Sequence, residues 1–174
     1  MTRDPLIFFA RFAVIAIRAL LGFAALVLLV GLGFTLFASD AQLVETATEM
    51  SKMGADAVSR ASLGILFGFT LLVVILAERF FQQLQAIIAT VPAGEPFSPL
   101  NAKRLERMAW LAVAFQTVGL SSTLLSNTVR DVGEQIDLTV ELTFEGIFIA
   151  LLLFILARVF REGAAMREDL EGTV

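Results

Sequence analysis

Apolar residues in this chain gather into four runs, about Ala19 to Ala38, Ala57 to Ala77, Met108 to Ser126 and Phe144 to Phe160, each bounded by charged or turn-forming residues. A helix rises ~1.5 Å per residue, so about twenty apolar residues cross the roughly 30 Å of bilayer hydrocarbon. The pattern predicts four transmembrane helices. The first helix should start well before its apolar run, because Asp4 and Pro5 form a cap and first-turn pair, which sets Arg11 and Arg18 near the membrane surface. That run is longer than the ~7 to 15 residues of a signal-peptide core, and three more follow it, so it reads as a span rather than a cleaved leader.

The polar stretches carry their own patterns. From Ser39 to Met53, a capping-box spacing of Ser39 and Gln42 precedes Leu43, Ala47 and Met50 on one face, with Gly54 as a stop, and predicts a short surface helix. After the second run, Phe80, Phe81, Leu84, Ile87, Ile88 and Val91 recur at helical spacing among Glu78, Arg79, Gln82, Gln83 and Gln85. The second helix should therefore continue as an amphipathic cytoplasmic extension with an exposed apolar face. Pro92, Gly94 and Pro96 break it, and Ser98 with Pro99 restarts a helix as cap and first position, giving a tight helical hairpin. From Gln135 to Phe144 apolar and polar residues alternate with period two, which predicts a short extended segment in the second external loop. No repeat or linker divides residues 1–174, so the chain reads as a single four-span domain, an all-α membrane protein.

Composition agrees, with 57% hydrophobic residues and a mean hydropathy of +0.83, well beyond ordinary soluble domains. Of the 13 Lys and Arg residues, all but Lys52, Arg60 and Arg130 fall in the N-terminal segment, the middle loop or the C-terminal segment. The positive-inside bias places those three regions, and both termini, in the cytoplasm. The external loops are acidic, but no spacing matches a calcium loop.

The absence of Cys, His and Tyr removes thiol and imidazole chemistry and most transition-metal ligands, so no cofactor, metal site or catalytic residue is expected. Ser121 and Ser122 have no base nearby in sequence, which argues against an enzyme. No carboxylate lies deep in a span, since Glu78 and Glu145 sit at span ends; this argues against proton-coupled transport. Two helix-packing patterns stand out. Gly64 and Gly68 form a small-xxx-small pair that serves either the bundle interior or a seam between copies. Ala112, Gln116, Gly119 and Thr123, with Ser122 and Ser126 close by, form a polar stripe on the third helix that either bonds neighbouring helices or lines a pore.

Two stretches carry a family resemblance. Gly94-Glu95-Pro96-Phe97, Asn101 and Arg104-Leu105 lie at the middle loop, and Leu156-Ala157-Arg158-Val159-Phe160-Arg161-Glu162-Gly163 with Met166-Arg167-Glu168 follow the last span. Together they resemble the bacterial membrane family of unknown function DUF2975. The resemblance implies a four-span protein whose relatives are often encoded beside a small helix-turn-helix regulator. Read from the residues themselves, Phe97 should pack beside Pro92 and Pro96, while Asn101 and Arg104 bond free carbonyls at the end of the second helix.

The function expected on these grounds is a non-enzymatic anchor or sensor in the bacterial cytoplasmic membrane, binding a cytoplasmic partner such as a small transcriptional regulator through the extension, middle loop and tail. The alternative is a small homo-oligomeric channel or transporter. Expected partners are the lipid bilayer, a helix-turn-helix regulator and further copies of the chain, with no direct nucleic-acid contact.

Overall fold

The computed structural model describes residues 5–39, 41, 42, 45, 48, 60–94, 96–126 and 144–171. Among these residues the architecture is all-α, with four long helices: α1 Pro5–Phe37, α2 Arg60–Thr90, α3 Pro99–Ser126 and α4 Phe144–Glu171. Two of them, α1 and Leu63–Thr90 of α2, are long and apolar enough to cross a membrane. Asp4 and the stretches 49–59 and 127–143 lie outside the described residues, and with them the proposed α1 cap, most of the predicted surface helix and nearly all of the predicted extended segment; Phe144 itself opens α4.

Local signals behave as their chemistry requires. Ser39 and Gln42 form a reciprocal capping box: the Ser39 amide donates to Gln42 Oε1 at 3.0 Å and the Gln42 amide to Ser39 Oγ at 3.4 Å. Ala41, Gln42, Glu45 and Thr48 are helical beyond it. At the middle loop α2 ends in a 3-10 turn, Val91–Ala93, and Gly94 takes φ 76°. That left-handed conformation strains any residue with a Cβ, so the glycine is required by the turn itself.

Consecutive helices pack on one another, α1 on α2, α2 on α3 and α3 on α4. The core sits at the α3–α4 seam, where Leu105, Met108, Ala109 and Ala112 meet Ala150, Leu153 and Ala157. Ala109 is 0% exposed and Ala157 nearly so. Small residues here let two backbones approach closely, as membrane helices do in the absence of a hydrophobic driving force between them.

Phe80, Leu84 and Ile87 of α2 pack against this core. The amphipathic extension is thus present, but Phe80, Leu84 and Ile87 of its apolar face are half-buried against the α3–α4 core, and only Val91 at its end is exposed as expected. Periodicity reveals that a helix has an apolar side; it carries no information on what covers that side.

Contacts fix the register along the bundle. Arg18 meets Glu78, Gly31 lies against Phe67 and Arg60 Nη2 donates to the Ala38 carbonyl at 2.7 Å, so α1 and α2 run antiparallel over their full apolar lengths. On the other side, Arg104 meets the Ala86 carbonyl, Trp110 packs edge-on against Phe154 at 5.4 Å and Gly146 faces Gln116. The apolar part of α4 therefore lies level with Glu78–Thr90 of α2 rather than with Leu63–Ala77. The fourth predicted span is offset along the bundle axis from the first two.

Outward-facing side chains over these lengths are apolar, including Phe23, Leu26 and Val30 on α1 and Leu151, Leu152 and Ile155 on α4. A surface of this kind suits lipid and not water. Gly31 shows how tightly α1 and α2 meet: a Cβ there would lie 2.8 Å from Phe67 Cε1.

Candidate functional site

The corner between α2 and α3 is closed by polar groups of both helices. Ser98 Oγ accepts from the Asn101 amide at 3.3 Å and so caps α3, with Pro99 in the first helical position, where its missing N–H leaves nothing unsatisfied. One turn in, Asn101 is 0% exposed. Its Nδ2 donates to Thr90 Oγ1 at 2.7 Å and to the Pro96 carbonyl at 2.9 Å, while its Oδ1 accepts from Arg104 Nη1 at 2.8 Å. Arg104 Nη1 also reaches the Ala86 carbonyl at 3.2 Å. The amide joins the end of α2, the loop and the start of α3 in one network, using both of its donors and its acceptor.

Arg104 bonds an α2 carbonyl as the sequence predicts. Asn101 instead bonds the Thr90 hydroxyl and a loop carbonyl. Phe97 stacks on Phe160 of α4, with ring centroids 4.9 Å apart, and approaches Gly163, where a Cβ would stand 3.4 Å from the ring. The two stretches that carry the family resemblance are therefore joined in space: the corner supplies Phe97, and α4 supplies Phe160 and the small residue that makes room. Arg161 Nη2 pairs with Glu106 Oε2 at 2.8 Å on the same level, and Arg158 with Glu162 at 3.0 Å along α4. Both pairs are exposed and add little stability.

A second polar cluster lies deeper. Arg18 Nε donates to Glu78 Oε1 at 2.8 Å, Nη2 to the same oxygen at 2.5 Å and Nη1 to Gln85 Oε1. The side chains are 30% and 31% exposed, while Glu78 Oε2 is buried without a hydrogen-bond partner. Apolar surface continues on both sides of the pair, through Leu20 and Phe23 in one direction and Phe12 and Ile15 in the other. On α2 the polar residues Arg79, Gln82 and Gln83 follow the pair, so it stands where the apolar run of α2 gives way to the amphipathic extension, and each charge offsets the other between the helices.

Gln116 lies at the α3–α4 seam. A Cβ on Gly146 would overlap its carboxamide, so that glycine makes room for the amide against the α4 backbone. Gly119 is buried nearby, and Gln116 and Gly146 also line an apolar cleft of about 250 Å³ with Ala77, Phe80, Phe81 and Phe115. Gly146→Leu should force the amide out and separate α3 from α4, lowering stability by about 2 kcal/mol; a shift in the unfolding midpoint measures it, and an unchanged midpoint rules out close packing at that point. Gly64 and Gly68, in contrast, have open space where a Cβ would stand. The Ser122 side chain lies outside the described residues.

Among the described residues no cluster of His, Cys, Asp and Glu could hold a metal ion. Ser121 Oγ donates to the Thr117 carbonyl at 2.9 Å, a bond within its own helix. The family model described as protein of unknown function (DUF2975) matches residues 41–174, which takes in α2, α3, α4 and both motif stretches. No curated protein and no solved structure matches the chain.

Proposed function

The chain belongs to the DUF2975 family, and from that premise we propose that it is a non-enzymatic anchor or sensor of the bacterial cytoplasmic membrane, binding a cytoplasmic protein at the α2–α3 corner. In this reading α3 and α4 also cross the membrane, packed beside the α1–α2 hairpin at an offset level, and the basic segments hold both termini in the cytoplasm. A small helix-turn-helix regulator is the partner class that the family resemblance brings forward.

The observation that carries the proposal is apolar exposure at the corner. Val91, Phe97 and Leu100 remain 40%, 47% and 53% exposed, although the corner lies beyond the layer of Glu106 and Arg161. Exposed large apolar residues on a rigid, hydrogen-bonded support are the usual make-up of a docking surface. In this reading the contact lies at the corner tip, since Phe80, Leu84 and Ile87 already pack within the chain.

The test is a photoreactive residue at Leu100, with another at Leu29 in the lipid-facing belt as control, followed by crosslinking in native membranes. The expected outcome is a discrete cytoplasmic protein captured at Leu100 and absent at Leu29. Capture at Leu100 of nothing but lipid or further copies of the chain would remove the partner reading.

A further inference from the structure

We propose that the inner third of α1, against α2, forms a binding site for the headgroup of an anionic phospholipid, with Arg11 as its free cation and Arg18 as a fixed one. Arg11 and Arg18 are seven residues apart, two turns, and so share one face of α1. Val14, between them on that face, is 5% exposed, one of the two buried residues of α1. The face carrying both arginines is therefore the one that meets α2.

The two cations differ in what holds them. Arg18 is held by Glu78 and Gln85 through all three of its nitrogens, yet it stays part-exposed. A guanidinium has five N–H groups, so Arg18 keeps donors in a fixed orientation after those bonds are made. Arg11 has no partner among the described residues and is exposed.

No acidic residue occurs in α1, and α2 has none between Arg79 and its end at Thr90. Glu78 is thus the single carboxylate on the facing helices at this level; it is taken by Arg18, and among the described residues Arg11 is left without a counter-charge. Phe8 and Phe12 flank Arg11 with large exposed rings on which an acyl chain can lie. A phosphodiester bearing net negative charge, with its chains along the aromatic surface, satisfies the charge and the apolar contact together. A zwitterionic headgroup satisfies only the second.

The proposal rests on the membrane reading above but not on a protein partner, and the experiment separates the two. The full chain, purified in detergent, is mixed with equal amounts of phosphatidylglycerol and phosphatidylcholine, and retained lipid is counted by native mass spectrometry. Wild type should retain phosphatidylglycerol preferentially. Arg11→Gln should weaken phosphatidylglycerol retention about fivefold, the effect of one basic residue near an anionic surface, and leave phosphatidylcholine unchanged, with helical content intact. Arg107→Gln, on the exposed side of α3, should change neither. Equal retention of the two lipids by wild type overturns the proposal, and so does a loss with Arg107→Gln as large as that with Arg11→Gln, which would reduce the effect to overall charge.

Discussion

Replacing Asn101 with Ala should destabilise the detergent-solubilised protein by about 3 kcal/mol, the largest loss expected from any single substitution at the corner. The side chain is fully buried and bonds three groups, Thr90 Oγ1, the Pro96 carbonyl and Arg104 Nη1. Truncation deprives a loop carbonyl and a hydroxyl of their donor, and each buried polar group left unsatisfied costs about 1–3 kcal/mol. Thr90 retains its bond to the Ile87 carbonyl at 2.7 Å, and Arg104 retains Ala86, so the loss is not the sum of three bonds. Asn101→Asp makes the sharper comparison. It preserves shape and volume but turns an acceptor toward two acceptors, and it should be at least as damaging as the truncation. Unfolding midpoints for wild type and both variants measure this; an Asp variant as stable as wild type would show that the donated bonds contribute nothing.

The second large effect concerns the ion pair. Arg18→Ala should destabilise the α1–α2 hairpin by about 2–3 kcal/mol, because it leaves the part-buried Glu78 carboxylate, one of whose oxygens already lacks a partner, without its counter-charge. The figure is set at or below the low end for a broken buried pair, since about a third of each side chain is exposed. Adding Glu78→Gln to that variant should recover most of the loss. Stability of the two single variants and the double variant closes a double-mutant cycle; effects that add to within about 0.5 kcal/mol would mean that the two residues do not sense each other.

The elements of this fold were legible where chemistry is local. Pro92, Gly94, Pro96, Ser98 and Pro99 announce the corner, because each restricts the backbone at its own position. Ser39 and Gln42 announce a cap for the same reason. The partners of long-range contacts were not legible. Arg18 and Glu78 stand 60 residues apart, and hydropathy placed each at the end of its own run without showing that the two runs align there. Phe97 was assigned to prolines beside it in sequence, and its contact with Phe160 on α4 could not be read from that neighbourhood. The offset of α4 was hidden for a related reason: an apolar run has a length, but nothing in that length states the level at which it meets its neighbours. Of the corner residues, Gly94, Pro96, Asn101 and Arg104 could be assigned to the hairpin from the sequence, whereas the exposure of Leu100 and Val91 required the packed structure.

The bonds of the Asn101 network have a consequence for the order in which the molecule is made. Thr90, Pro96, Asn101 and Arg104 lie within a short stretch of chain, so their network closes over a small loop, with little entropy lost and no distant partner needed. It can form during synthesis as soon as the first turns of α3 emerge, before any of α4 exists. Phe97 is then left waiting on a finished corner, and the arrival of Phe160 and Gly163 completes a surface already in place. A helix pair assembled in this sequence gives the last helix a template to dock against rather than a search among equivalent apolar faces.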